Sequence, residues 1–186
     1  MRLFVGLPLA DSLVRELKAV VARLRSKDDQ LRWPPPESWH ITLQFLGSTR
    51  HDQYECLHAR LSELQRPPVP IRIDTVDLFD RAGILFAGVR SSQELTSLER
   101  HVVAATALCG FLPENRPYHP HITLARSKGR AGQHVLHQLK NRLRSPPEFT
   151  ASIAEEFLLY ESIPTPTGSR YEIRERFKLQ AFVSEQ

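Results

Sequence analysis

The sequence predicts a mixed α/β protein of the α+β class, with two pseudo-symmetric lobes of mostly antiparallel sheet and outer helices around a central cleft. Short segments with alternating apolar residues are interleaved with segments whose apolar residues recur every three or four positions. The order strand, helix, strand, helix, strand occurs twice. The tetrapeptide His-Ile-Thr-Leu stands at the third element of both units, at 40–43 and 121–124. Two similar units that pack together commonly relate by an approximate two-fold axis, which brings equivalent strands face to face across a shared cleft.

The first unit runs to about residue 78. Leu3, Val5 and Leu7 alternate and predict a buried strand rather than a signal peptide, because the apolar start is short and Pro8 breaks it. In chain order the predicted elements are a strand over 2–8, a helix that Asp11 or Ser12 can cap, a strand over about 38–46 after Pro34–Pro36, a helix over about 50–65 that Gly47–Thr49 can cap, and a strand over about 70–78.

The second unit repeats this order. Its predicted elements are a strand over about 83–89, a helix over about 92–109, a strand over about 119–126, a short helix near 131–143, the breaker Pro146–Pro147, and closing strands near 148–160 and 170–182. No linker is long enough to separate independent domains. Residues 1–186 are therefore predicted to form a single domain of two intertwined lobes, each contributing one motif.

The composition is that of an ordinary soluble protein, for which a cytoplasmic location and a monomer are the default expectations. The chain is 41% hydrophobic and 25% charged, and no apolar run approaches the roughly 18 residues of a membrane span. The formal charge of +4 suits a polyanionic partner such as RNA. Cys56 and Cys109 fall far apart in predicted helices, and reduced, buried thiols are favoured over a bridge between them.

Each tetrapeptide has one apolar and one polar face, because side chains on a strand alternate with period two. His40, Thr42 and Gln44 share one face, whereas Ile41, Leu43 and Phe45 share the other. In the second motif His121 and Thr123 likewise face away from Ile122 and Leu124. A single His-X-Thr triplet is close to chance, but the same tetrapeptide at the same point of both units indicates one site built from two halves.

Two imidazoles across a cleft suit the cleavage of a phosphodiester. One neutral histidine takes a proton from the attacking water, and the other, protonated, gives one to the departing ribose oxygen. The hydroxyls of Thr42 and Thr123 can donate hydrogen bonds to the non-bridging phosphate oxygens as negative charge grows there. This scheme requires neither a metal nor another cofactor, and the residues alone do not decide which histidine is the acid.

Over essentially its whole length the chain resembles a known family, the 2H phosphoesterases, and within them the bacterial and archaeal RNA 2′,3′-cyclic phosphodiesterases, also called 2′-5′ RNA ligases. The segments that carry the resemblance are Arg2–Phe4, Arg32–Trp33, His40–Gly47 and Pro120–Arg126. The resemblance implies a bilobal fold with a central cleft and opening of RNA 2′,3′-cyclic phosphate ends, or of cyclic nucleotides, to 2′-phosphates without a metal. Some members of that family also carry out a reversible 2′-5′ RNA ligation.

The resemblance further assigns roles to single residues. It implies His40 as the proton donor, His121 as the proton acceptor, and Arg126 as a contact to the substrate phosphate. Strict alternation places Arg126 on the opposite face from His121, so it reaches the cleft only if the strand ends or twists at Ala125. The alternative for Arg126 is a solvated surface side chain.

Other candidates have a plainer interpretation. His119 and His121 have the spacing of some metal ligands, but no further ligands are nearby in sequence, so His119 is predicted to be a loop residue. Phe45 is predicted to pack in the core rather than to stack on a base. Packing is also favoured over base stacking for three aromatic residues that flank the motif strands, namely Trp33, Trp39 and Tyr118. Five histidines fall on predicted helices without a partner pattern, namely His51, His58, His101, His134 and His137.

Two other function classes remain open from the residues. An RNA-binding or nucleotide-binding module would keep the fold without turnover, but binding needs only the hydroxyls and cations and not two histidines. A metal-dependent phosphohydrolase would use His119 with His121.

Overall fold

Two four-stranded sheets carry the motif strands in the computed structural model, which describes residues 1–27, 29–142, 148–166 and 168–180. The strands are β1 (Arg2–Leu7), β2 (Leu31–Arg32), β3 (Ile41–Ser48), β4 (Val69–Ile71), β5 (Ile73–Phe79), β6 (Ile84–Val89), β7 (His121–Ser127), β8 (Ser152–Ala154), β9 (Glu156–Thr165) and β10 (Gly168–Lys178). The four α-helices in this part of the chain are α1 (Asp11–Leu24), α2 (His51–Ser62), α3 (Gln93–Ala107) and α4 (Gly129–Arg142). The predicted mixed fold with antiparallel sheets is confirmed.

Each unit gives its last strands to the sheet of the other unit. The first sheet has the order β10-β9-β1-β3 and the second sheet has the order β2-β7-β6-β5, while β4 and β8 form a two-stranded ribbon. Thus β5, from the first unit, pairs with β6, and β9, from the second unit, pairs with β1. All of these pairings are antiparallel. The exchange interlocks the two halves of the chain.

One continuous apolar core extends through both sheets and the helices packed on them. The α1 face of Leu13, Leu17, Val20 and Leu24 is buried, at the three- and four-residue spacing that predicts an amphipathic helix. Ile41 and Ile122, the apolar neighbours of the two histidines, are both fully buried. The apolar faces of β3 and β7 therefore anchor the motifs from behind.

The predicted ends of several elements are wrong by a few residues. Ala10, not Asp11 or Ser12, is the N-cap of α1, and Arg50, not a residue of Gly47–Thr49, is the N-cap of α2. The strand predicted over 70–78 is divided between β4 and β5. Pro146–Pro147 and the end of the strand predicted over 170–182 lie outside the described residues.

Cys56 and Cys109 form a disulfide, so the prediction of reduced thiols is wrong. Helices α2 and α3 contact each other, and the cysteine Cα atoms lie 5.7 Å apart, within the range that a disulfide spans. Their separation of 53 residues along the chain conceals this proximity. The bridge joins α2 to the turn that follows α3.

Among the described residues, no helix combines the length and apolar character that crossing a membrane requires.

Candidate active site

The polar faces of β3 and β7 line one cleft of about 930 Å³ between the two sheets. All five predicted site residues contribute to its walls, namely His40, Thr42, His121, Thr123 and Arg126. The cleft thus brings together side chains that are 81 positions apart in the sequence. The prediction that the two motifs face a shared cleft is confirmed.

Both imidazoles are held in the same way. Nδ1 of His40 lies 2.7 Å from the carbonyl oxygen of Ser38, and Nδ1 of His121 lies 2.7 Å from the carbonyl oxygen of His119. A carbonyl oxygen only accepts, so each Nδ1 carries a proton and donates it. In each ring, Nε2 is therefore the nitrogen that can take up or give a proton. Nε2 of His40 lies 3.1 Å from the Thr42 hydroxyl, which donates to it when the imidazole is neutral.

Aromatic side chains back each histidine. The His40 ring lies 4.6 Å from the ring of Phe4 and meets the ring of Tyr171 edge-on at 5.1 Å. The His121 ring meets the ring of Phe79 edge-on at 4.9 Å. These rings limit the rotation of the imidazoles and shield them from bulk water.

Gly6 leaves space for the first motif strand and the side chain of His40. A Cβ at this position would lie 2.9 Å from the carbonyl oxygen of Ile41 and 3.5 Å from Cδ2 of His40. The first contact is closer than real Cβ atoms approach a backbone oxygen, so only glycine allows β1 to lie this close to the motif.

Burial lowers the pKa of both histidines. It lowers the pKa of His40 to about 4, with smaller contributions from the nearby His121 and Arg126. Burial is also the main cause that lowers the pKa of His121, and His119, Arg126 and Arg116 add to it. His40 is the more deeply buried of the two. At neutral pH both imidazoles are therefore uncharged in the free protein.

A β-bulge in each motif strand reverses the alternation after the threonine. In β3, Thr42 pairs with Gly6 and Gln44 with Val5, so Leu43 is the extra residue. In β7, Thr123 pairs with Phe86 and Ala125 with Leu85, so Leu124 is the extra residue. A bulge adds one residue to one strand and moves the following side chains to the other face.

The bulges correct one prediction and resolve another. Phe45 is not in the core, because its side chain is 53% exposed and lines the cleft. Gln44 turns inward instead, and its Oε1 accepts a hydrogen bond of 2.6 Å from the Thr106 hydroxyl on α3. Arg126 does reach the cleft, and the reason is the bulge at Leu124 rather than the end of the strand.

Arg126 is half-buried on the cleft wall. Burial lowers the pKa of its guanidinium, Tyr171 opposes this effect, and the neighbouring Arg32 adds to it. Because Arg126 stays charged at any ordinary pH, it places a desolvated positive charge beside the two histidines. Such a position favours an anionic ligand.

The three flanking aromatic residues pack in or against the core, as predicted. Trp39 is 6% exposed, and Nε1 of Trp33 donates to Asp29 at 2.7 Å. Tyr118 is half-buried, and its hydroxyl donates to the carbonyl oxygen of Thr42 at 3.2 Å, which ties the 110s loop to the first motif. Sequence reasoning missed Phe79 and Tyr171, because neither belongs to a motif and strand exchange brings both to the cleft.

His119 lies on an exposed loop, as predicted, with its ring 6.4 Å from that of His121. Over the described ranges, no group of three or more His, Cys, Asp or Glu side chains is placed to hold a metal ion. The remaining five histidines lie on α2, α3 and α4, as predicted.

Comparisons with known proteins give a consistent result. The sequence model of the 2′-5′ RNA ligase superfamily matches residues 9–160. An RNA 2′,3′-cyclic phosphodiesterase of Archaeoglobus fulgidus is 31% identical over 174 residues, which are 92% of this chain and 96% of that protein. One of Bacillus subtilis is 30% identical over 128 residues, or 66% of this chain and 69% of that protein.

A solved structure has the same fold. The crystal structure of E. coli LigT complexed with 3′-AMP superposes with a TM-score of 0.80 at 23% sequence identity, covering 97% of this chain and 98% of that one.

Proposed function

This chain belongs to the 2′-5′ RNA ligase superfamily, and on that premise we propose that it hydrolyses 2′,3′-cyclic phosphate ends of RNA to 2′-phosphomonoesters. The observation that carries the proposal is the pair of imidazoles that share one cleft, each with Nδ1 committed to a carbonyl and each followed by a threonine. The names of the Archaeoglobus and Bacillus relatives support the same reaction.

The proposed reaction is an in-line displacement at phosphorus. Nε2 of His121 takes a proton from water, and the water oxygen forms a bond to phosphorus. The bond from phosphorus to the ribose O3′ breaks on the opposite side, and Nε2 of His40 gives that oxygen its proton. The hydroxyls of Thr42 and Thr123 donate to the non-bridging oxygens, where charge grows. Ligation is the same step with an RNA 5′-hydroxyl in place of water.

The different burial of the two histidines supports this division of roles. The base must meet water from outside, and His121 is the more open of the two. Burial lowers the pKa of His40 to about 4 in the free protein, so His40 becomes a proton donor only when a bound ligand favours its charged form. A phosphate anion between the imidazoles provides that stabilisation, since a nearby negative charge raises the pKa of a histidine.

The substrate class follows from the walls of the cleft. Arg126 provides a guanidinium for the phosphate oxygens, which it can bind in a forked geometry. Phe45 presents an exposed ring on which a nucleobase can stack. A phosphate contact and an aromatic surface in one cleft support an RNA 3′ end or a cyclic nucleotide as the ligand.

We infer that residues 1–186 act as one domain, because strand exchange and a continuous core join the two halves. The monomeric state and the cytoplasmic location remain predictions from the sequence.

The decisive experiment is incubation with an oligonucleotide that ends in a 2′,3′-cyclic phosphate, with and without EDTA. We expect a 2′-phosphate product at an unchanged rate in EDTA, because two histidines and two threonines provide the chemistry. A 3′-phosphate product would mean that the bond from phosphorus to O2′ breaks instead of the bond to O3′. Loss of activity in EDTA with recovery in Zn²⁺ or Mn²⁺ would replace the metal-free mechanism and direct attention to His119 and His121.

The rival function, a nucleotide or RNA-binding module, predicts binding of the same oligonucleotide with no product at all.

A further inference from the structure

We propose that Arg32 binds the phosphodiester that joins the terminal nucleotide to the rest of the RNA, and so makes the site prefer RNA ends over mononucleotides. This proposal rests on the proposed function, because it extends the substrate of the same cleft. It concerns affinity and substrate preference, not the chemical step.

Arg32 is the direct cross-strand neighbour of Arg126. In the antiparallel pair of β2 and β7, Arg32 lies opposite Arg126 and Leu31 lies opposite Ser127. Residues that face each other in this way project from the same side of the sheet. Since the side chain of Arg126 lines the cleft, that of Arg32 extends on the same side, at the rim.

The two arginines place like charges directly opposite each other. Like charges directly opposite each other destabilise a sheet. In the described part of the chain neither guanidinium has an ion-pair partner, although Arg32 is exposed and Arg126 is half-buried. Two adjacent, uncompensated arginines at the edge of a cleft form a site for more than one negative charge.

Two other arginines in this part of the molecule are already paired. Arg116 is bound to Glu114, and Arg170 is bound to Glu172 at 2.7 Å. Arg32 differs from these two, because its guanidinium forms no ion pair within the described part of the chain. Arg170 offers a matched control, since it is also exposed and lies close in sequence to Gly168.

The side chain of Arg32 reaches across the rim to the other sheet. A Cβ at Gly168, the first residue of β10, would lie 3.7 Å from Cδ of Arg32 and 3.9 Å from its Nη1. The guanidinium thus lies between the second sheet, which carries it, and the β9–β10 hairpin of the first sheet. A strand of RNA that leaves the cleft along this edge passes over it.

The chemistry of the substrate supplies the two charges. The cyclic phosphate is the first charge. It must bind between the two histidines, and Arg126 lies beside them. The phosphodiester on the 5′ side of the same nucleotide is the second, one nucleotide away along the strand. A nucleoside 2′,3′-cyclic phosphate with a free 5′-hydroxyl lacks the second charge, so Arg32 distinguishes the two substrates.

The test compares a dinucleotide that ends in a 2′,3′-cyclic phosphate with the corresponding nucleoside 2′,3′-cyclic phosphate. For Arg32→Gln we expect the ratio of the two kcat/KM values to fall about tenfold, the usual effect of one charge-assisted hydrogen bond. The change should appear in KM of the dinucleotide. Arg32→Lys should keep most of the ratio, and Arg170→Gln should keep all of it. Thermal unfolding checks that each variant is folded.

A dinucleotide with an uncharged methylphosphonate linkage provides the second arm. The wild-type protein should lose the preference with this substrate, and Arg32→Gln should then have no further effect. An equal loss for both charged substrates would mean that Arg32 contacts the cyclic phosphate, and no loss would mean that it is a solvated rim residue. Either result overturns the proposal. Turnover of the nucleoside cyclic phosphate by the wild-type protein tests the proposed function separately.

Discussion

The half-site around His40 and the half-site around His121 share one backbone plan and differ three residues beyond the threonine. In both, Nδ1 donates to the carbonyl two residues earlier, and a leucine forms a bulge directly after the threonine. The bulge then turns Phe45 into the cleft in one half and Arg126 in the other. The same local geometry thus presents an aromatic ring on one side of the phosphate site and a cation on the other.

This difference teaches how a duplicated motif can bind an asymmetric ligand. The shared part of each half, a histidine and a threonine, acts on the phosphate, which is nearly symmetric. At the divergent position, Phe45 offers a ring to the nucleobase, and Arg126 adds a positive charge beside the phosphate. The depth of the two histidines differs as well, and the deeper His40 has the pKa that is lowered to about 4.

The largest expected effect comes from removing either histidine. His40→Gln and His121→Gln should each lower kcat by 10²–10⁴-fold, as is typical for a lost general acid or base, while the substrate still binds. Steady-state kinetics and a binding assay measure the two quantities. If one variant kept near-normal turnover, that histidine would leave the mechanism and the two halves would no longer be functional equivalents.

Removing the threonine hydroxyls tests the equivalence more finely. Thr42→Val and Thr123→Val keep the branched shape, so we expect each to lower kcat by roughly 10²-fold, as for a lost oxyanion donor, with a smaller effect on KM. The two losses should agree within about tenfold. A fully active Thr123→Val beside an inactive Thr42→Val would show that only one motif holds the phosphate.

The pH profile tests the charge states of the pair. Both histidines have a pKa below 6.5 in the free protein, so the form with one charged imidazole becomes scarcer as pH rises. The value of kcat/KM should therefore fall on its alkaline side from below pH 6.5, by about tenfold per unit. The bound anion raises both pKa values, so the alkaline fall of kcat should lie at higher pH. Coincident alkaline limbs would contradict this coupling.

The smallest effects are expected from substitutions of Arg126 and Phe45, the two residues that differ between the half-sites. Arg126→Lys keeps the charge and loses the fork, and Phe45→Leu keeps an apolar side chain and loses the ring, so each should lower kcat/KM about tenfold. A ribose 2′,3′-cyclic phosphate without a base distinguishes them, because only Arg126→Lys should affect its hydrolysis. An equal effect of Phe45→Leu on this substrate would argue against base stacking.

Much of this site is readable from the sequence, because alternation and spacing are local properties. The faces of His40, Thr42, His121 and Thr123, with buried isoleucines behind them, follow from the period of a strand. The same rule fails beyond the threonines, since it assumes an uninterrupted ladder and a bulge depends on the neighbouring strand. Phe45 was therefore predicted in the core and is in the cleft.

The long-range features lie beyond such rules. The Cys56–Cys109 bridge depends on how α2 and α3 pack, and the contribution of Tyr171 depends on the return of β10 to the first sheet. Neither the packing of α2 on α3 nor the pairing of β10 with β9 produces a periodic pattern in the sequence. The repeat was visible, but the exchange of strands between its two units was not.

That exchange has a consequence for biosynthesis. Every strand of the second sheet, including the one that carries His121, has been synthesised once Ser127 is made, whereas the first sheet needs β9 and β10, which end at Lys178. The sheet beside His40 therefore cannot close until translation is nearly complete, although His40 is made long before His121. We expect a released chain that ends before β9 to protect β6 and β7 from hydrogen exchange more strongly than β1, which then keeps only β3 as a neighbour. The earlier histidine in the sequence is therefore the later one to be enclosed by a complete sheet.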